Sequence, residues 1–233
     1  MAVRLRGPVA FALLTSSLFV AAVGAGHPEQ LQPVDLRDIC VTNGEIRTGH
    51  GGRLQIDSPS SRAVLRFRSQ PAVEIRFTYL GPSTQLKPLA SGELRRQIGI
   101  KLRAENTCNL VYAMWHIEPD SRVAVSIKRN PGMSTHEQCH AGGYINLQQS
   151  ASATPLKIVV GQTHVLRAEM RGASLVVSTD GVEAWRGDLG PVIANFDGPV
   201  GLRTDNARFA FDYFVGPARP GPETADCRET PGD

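Results

Sequence analysis

His164 to Trp185 reads HVLRAEMRGASLVVSTDGVEAW, and Gly198 to Gly216 reads GPVGLRTDNARFAFDYFVG. In the first run apolar and polar residues alternate in short bursts, broken by Arg171-Gly172 and Asp180-Gly181. That pattern predicts strands over 164–170, 174–179 and 183–186, with Asp180-Gly181 as a tight hairpin turn. In the second run, Gly198 and Gly201 let the chain bend as it enters a sheet. Strands are predicted over 198–203 and 208–215. On the latter, Phe209, Phe211 and Tyr213 fall on one side and Ala210, Asp212 and Phe214 on the other.

Working outward, the same period of two continues. Residues 63–68, 72–79, 94–103 and 123–128 alternate, and 110–117 is apolar enough to be a central strand. A further strand is predicted after Pro155, over 156–160. Pro131-Gly132 and Gly142-Gly143 add turn chemistry. No period of 3.6 persists beyond two turns, and no block of 20–50 residues repeats. Many short strands at this spacing predict an all-β, antiparallel two-sheet sandwich.

The order of features between His164 and Gly216 resembles the C-terminal half of the concanavalin A-like, or laminin G-like, jelly roll. There, a strand ending in Asp-Gly is followed by a Gly-x-Val/Ile-Gly-Leu entry and a Phe-Asp-x-Phe strand. The resemblance covers about a quarter of the chain. It implies the jelly-roll fold, and a superfamily that includes lectins, glycosidases, polysaccharide lyases and adhesion modules.

The N-terminus carries Arg4 and Arg6, then an uncharged apolar run from Val9 to Val23 and the small residues Gly24 and Ala25. This predicts an export signal over 1–25, a polar leader over 26–33, the sandwich over 34–216 and a Pro/Gly-rich tail over 217–233. The expected location is secreted, extracellular or periplasmic. Losing Arg4 and Arg6 leaves 23 basic residues against 22 acidic ones. Bulk charge therefore gives no case for nucleic acid, or for a membrane after signal cleavage. Four cysteines in an exported chain imply disulfides, with three pairings open. In an antiparallel meander through 94–103, 110–117 and 122–129, the loops holding Cys108 and Cys139 fall at the same end, so these two are expected to pair. The jelly-roll resemblance, which makes first and last strands neighbours, implies Cys40 with Cys227.

His136 to His140 spells H-E-x-x-H. Zinc chemistry needs those histidines on one face of a helix, and the flanking Pro131-Gly132 and Gly142-Gly143 predict a stapled loop instead. No metal and no cofactor are expected. No Asp-x-Asp-x-Asp loop supports calcium. The paired carboxylates of a retaining glycosidase, phosphate loops and nucleophile elbows are all absent. What remains is the polar side of three consecutive strands. With Ile98, Ile100 and Leu102 facing the core, Gln97, Lys101 and Arg103 face outward. With Val111, Ala113, Trp115 and Ile117 inward, Tyr112, Met114 and His116 share the outer side. Lys128 follows on the next strand. Gln97, Lys101, Arg103, Tyr112, His116 and Lys128 are the candidate glycan-binding face, since aromatic rings stack on sugars and amides and cations bond their hydroxyls or carboxylates. The expected function is glycan binding without catalysis, with an anionic polysaccharide among the candidate ligands. The alternatives are a lyase or hydrolase acting on such a polymer, and a protein-binding adhesion module. Gln97, Arg103, Tyr112 and His116 are lyase residue types, and Leu94-Arg95-Arg96 faintly resembles the arginine-bearing strand of alginate lyases, whose Gln-x-His triplet and Tyr-Phe-Lys-x-Gly strand are missing.

Overall fold

The structure is a computed structural model that describes Met1 and residues 30–69, 72–148 and 157–220. Beyond Met1, the export signal predicted over 1–25 lies outside the described residues. So do 26–29 of the leader and 221–233 of the tail, including Cys227.

In chain order the strands are β1 (Gln32–Pro33), β2 (Ile39–Asn43), β3 (Arg47–Thr48), β4 (Leu54–Leu65), β5 (Ala72–Pro82), β6 (Arg96–Leu102), β7 (Leu110–Glu118), β8 (Arg122–Lys128), β9 (Tyr144–Asn146), β10 (Thr163–Arg171), β11 (Ser174–Thr179), β12 (Val182–Asp188) and β13 (Gly201–Val215). One four-residue helix, α1 (His136–Cys139), lies between β8 and β9. Every strand pairing is antiparallel, in the path β12-β11-β10-β5-β13-β6-β7-β8-β9, and β4 runs along the other edge of β13.

The long strands β4 and β13 make the sheet a sandwich. Gly201 to Asp205 pair with β6, whereas Ala207 to Val215 pair with β5. The β13 ribbon thus passes from one layer into the other, and β4 follows it throughout. The bend falls at Asn206, whose φ of 55° breaks the extended run. Its side chain accepts from the Lys87 amide (2.7 Å) and donates to the Lys87 and Arg95 carbonyls. The corner therefore anchors the loop 83–95 over one face. Between the layers sit large aromatics, among them Trp115, which alternation assigned to the core. Phe77 of β5 meets Trp115 of β7 edge-on at 5.7 Å and Phe209 of β13 at 5.5 Å. Ile98, Ile100, Leu102, Val125, Ile127, Phe211 and Tyr213 are buried with them. Such large apolar groups contribute roughly 1.5–3 kcal/mol each when fully buried.

Four expectations need correction. The two strands predicted at 198–203 and 208–215 are one, because a single left-handed residue, Asn206, turns the corner without ending the hydrogen-bond ladder. Residues 157–160 form no strand; they lead into a turn closed by the Gln162 amide on the Val159 carbonyl and docked on β5 by the Gly161 amide on the Tyr79 carbonyl. The leader is not wholly outside the domain, since Gln32 and Pro33 pair with Val215 and Phe214. Nor does the fold stop at Gly216: Ser69 bridges Ala218, and Arg219 pairs with Asp197 at 2.6 Å. No helix among the described residues is long and apolar enough to cross a membrane, a statement that says nothing of β-barrels.

Cys108 is bonded to Cys139, as the meander parity requires, with Cα atoms 5.9 Å apart. Cys40 is disulfide-bonded too, while the Cys227 expected for it lies outside the described residues. The 108–139 bridge closes a separation of 31 residues, for which the chain-entropy model gives about 3–4 kcal/mol. Replacing both cysteines by serine should lower unfolding stability by about that amount in urea titrations; a loss under about 1 kcal/mol would show that the loop's own hydrogen bonds suffice.

Candidate functional site

The face of the β4-β13-β6-β7-β8-β9 layer turned away from the core carries the side chains that do not enter it. Register sets them in rows. Asp205, Gln97, His116 and Arg122 lie on successive strands β13, β6, β7 and β8. In the next row come Arg62 of β4, Arg203, Gly99, Met114 and Ala124. Then follow Gly201, Lys101, Tyr112, Ser126 and Asn146, and finally Leu110, Lys128 and Tyr144. This face forms the floor of a groove of about 1000 Å³. Its rims are the loop 83–95 and the loop containing α1.

Gln97, Tyr112, His116 and Lys128 all line the groove, as the alternation of the sequence predicts. They are not, however, the open sheet face expected for them. Each is at most 5% exposed, because the two rim loops fold over the face. Lys101 shares the row of Tyr112 but lies beneath the surface, outside the groove lining. Arg103 is not on the face at all. β6 ends at Leu102, and Arg103 takes a φ of 47°, so the period of two stops there. Its guanidinium instead donates to the carbonyls of Ile193 (3.0 Å) and Phe196 (3.3 Å). Arg103 is thus a clamp on a neighbouring 3-10 turn (Pro191–Asn195).

The sequence reading missed Arg62, Arg95, Arg122, Tyr144, Arg203 and Asp205, all of which line the groove. Asp205 is the hub. Its Oδ1 accepts from Arg62 Nη2 at 2.7 Å, and its Oδ2 accepts from Gln97 Nε2 at 2.6 Å and Arg203 Nε at 2.9 Å. Burial by itself would raise its pKa; the attraction of Arg62 and Arg203, with the hydrogen bonds from Gln97 and Arg62, outweighs burial and holds the carboxyl below its ordinary value. Arg203 in turn lies 5.0 Å over the Tyr112 ring and donates to the Tyr144 hydroxyl at 3.2 Å. The two tyrosine rings stack at 6.0 Å, and the Lys128 ammonium sits 5.5 Å from the Tyr144 ring while donating to the His140 carbonyl at 2.9 Å. Tyr144 is 39% exposed and forms the accessible end of this stack. Gly99 makes the close row feasible. A Cβ there would come within 2.3 Å of Met114 Sδ and 2.7 Å of the Ala113 carbonyl.

His116 sits between two guanidiniums. Arg122 Nε donates to its Nδ1 at 3.1 Å, and Arg95 Nη1 lies 3.4 Å from its Nε2. Burial, together with Arg95 and Arg122, lowers its pKa to about 3, only partly offset by Glu93. The ring is therefore neutral at physiological pH. A neutral ring offers one acceptor nitrogen to these two donors, and the shorter contact, from Arg122, assigns that role to Nδ1 and the proton to Nε2.

The H-E-x-x-H segment forms one turn of helix, α1, rather than a plain loop. Thr135 and Gln138 close a capping box around it, and the chain leaves at His140 with a φ of 44°. The His136 and His140 rings stand nearly perpendicular, 6.1 Å apart, on the groove rim. Cys139 ties this turn to Cys108 at the end of the groove floor. Among the described residues no group of three or more His, Cys, Asp or Glu side chains is placed to hold a metal ion.

No known protein-family profile and no curated protein sequence matches the chain. Among solved structures it is similar to the carbohydrate-binding module CBM66 from Bacillus subtilis, at 16% identity and a TM-score of 0.52, over 75% of this chain and 91% of that one. It is also similar to the metal-free carbohydrate recognition domain of Emp46p (10% identity, TM-score 0.49, 78% and 88% covered) and to the Crh5 transglycosylase in complex with NAG (12%, 0.47, 82% and 85%). At such identities the likeness concerns architecture alone. Together with the antiparallel sandwich and its sheet-crossing ribbon, the likeness to CBM66 gives this domain the fold of a β-sandwich jelly roll.

Proposed function

We propose that the domain is secreted and binds a glycan in this groove without cleaving it. The observation that carries this reading is the chemistry of the lining: a groove offering hydrogen-bond donors and an accessible tyrosine, with Asp205 as the sole lining carboxylate among the described residues. Asp205 is already held by two arginines, so it is not available as an acid, base or nucleophile. Glycoside hydrolysis by the usual route needs two carboxyls flanking the bond. His116, with a pKa of about 3, is neither a proton donor nor an effective base near neutral pH. Sugar recognition needs none of these; it needs donors for hydroxyls and a ring for the apolar face of a pyranose. CBM66, a carbohydrate-binding module by its name, supports the reading by showing that the same fold serves that task.

A glycan array tests it. The mature protein should be retained on a defined set of glycans, and Tyr144→Ala should weaken that retention several-fold. Tyr144 is the variant of choice because Tyr112 is buried beneath Arg203, where truncation would damage packing. Retention unchanged by Tyr144→Ala would sink the site. Retention on no glycan would favour the adhesion alternative, and appearance of unsaturated, ultraviolet-absorbing uronates from an anionic polysaccharide would identify a lyase.

A further inference from the structure

Six cationic side chains line the groove: Arg62, Lys87, Arg95, Arg122, Lys128 and Arg203. Two of them are consumed by Asp205, and Lys128 is held by the His140 carbonyl and the Tyr144 ring. The His116 end of the groove is different. Arg122 is exposed, donates Nε to His116 Nδ1, and forms no salt bridge with any described carboxylate. Arg95 gives one side of its fork to Glu93, while its Nε is buried without a partner. Its Nη1 faces His116 Nε2 at 3.4 Å. Both guanidiniums can only donate, and a neutral imidazole offers a single acceptor nitrogen; with the shorter contact, Arg122 on Nδ1, taking that acceptor, the Arg95 contact brings two donors together with no acceptor between them. An oxygen bearing negative charge is the group that satisfies both, and charge-assisted bonds of this kind are the strong ones.

Resting on the glycan reading above, we infer that Arg95, His116 and Arg122 form a seat for an oxyanion, a carboxylate or sulfate carried on a sugar, so that the groove selects an acidic glycan. Arg122 supplies a guanidinium engaged in no direct salt bridge with a described carboxylate, Glu93 acting on it only through space. Arg95 and the His116 Nε2–H supply directed donors. Arg122 also fixes the tautomer that turns the Nε2–H toward Arg95.

The test uses the mature protein and three small probes: sodium sulfate, methyl β-glucuronide and, as an uncharged control, methyl β-glucoside. Side-chain NMR follows the Arg122 Nε–H and the His116 ring. The expected result is a saturable shift with sulfate, with the glucuronide or with both, weaker in high salt and absent with the glucoside. Arg122→Gln, an exposed change, should weaken that binding by about tenfold or more, and Arg95→Gln should act in the same direction. Whichever anion binds more tightly assigns the seat to carboxylate or sulfate. The inference falls if neither anion gives a saturable shift, or if binding is indifferent to both substitutions. If neutral glycans are retained through Tyr144 while the seat stays silent, the seat is wrong and the glycan reading survives. If the seat fills but no glycan is retained, the oxyanion site stands and the glycan reading falls.

Discussion

Asp205→Asn lowers the unfolding free energy by about 3–5 kcal/mol, the usual cost of removing one partner from a buried ion pair. The carboxylate is almost fully enclosed, and Arg62 is enclosed with it. With asparagine in place, Arg62 and Arg203 remain in the groove floor with no counter-charge, and Gln97 Nε2 faces an amide of uncertain polarity instead of a carboxylate. Desolvation of the arginines has already been spent in folding, so the loss is not cushioned by water as it would be for a surface pair. Marginal stabilities of 5–15 kcal/mol make this a large fraction of the total. Equilibrium urea unfolding measures it directly. A change below about 1 kcal/mol would mean that the three-strand hub on β4, β6 and β13 is decorative. Pairing the substitution with Arg203→Gln should recover part of the loss, because one of the stranded charges goes with it.

The second large effect is on pH. His116 has a native pKa of about 3 against 6.5 in an unfolded chain. Between those values the unfolded chain binds the proton and the native protein does not. Stability therefore rises with pH through this window, and it falls as pH drops from about 6.5 toward 3. A depression of this size corresponds to a loss on the order of 5 kcal/mol across the whole window, at about 1.4 kcal/mol per unit. The groups facing the ring are Arg95, Arg122 and Arg203, which oppose its protonation, and Glu93, which favours it. Other carboxylates titrate in the same range, so the informative quantity is the difference between the wild-type protein and His116→Gln, which should lose this component of the slope. NMR of the ring gives the midpoint independently. A midpoint between 6 and 7 would be incompatible with two guanidiniums pressed against a buried imidazole.

Much of this molecule is legible in one dimension, and the limit is specific. Alternation assigned Ile98, Ile100 and Leu102 to the core and Gln97 to the opposite face, and it did the same for Trp115 against Tyr112 and His116. Side-chain direction in a strand follows from the local backbone, so no knowledge of partners is needed. The Cys108–Cys139 bridge was accessible for the same reason, since it depends only on counting reversals along consecutive strands. Arg203 and Asp205 show where that reasoning ends. Their strand joins β6 across a separation of about a hundred residues, and nothing in the local pattern of either segment announces the pairing. Arg103 fails in the other direction, because a single left-handed residue ended the strand one position before the expected site. Tyr144, on a three-residue strand too short to show alternation, carried no signal at all.

The sequence by itself therefore determined the class of fold, the two faces of each long strand and one covalent link, because each follows from a local period or from the parity of successive turns. Only the tertiary structure decided that the polar face is the floor of a covered groove, that Asp205 gathers two arginines there, and that His116 is held neutral between two more. Those outcomes depend on strand neighbours and on loops folding across a sheet, and both are set by burial summed over the whole chain rather than by any segment of it.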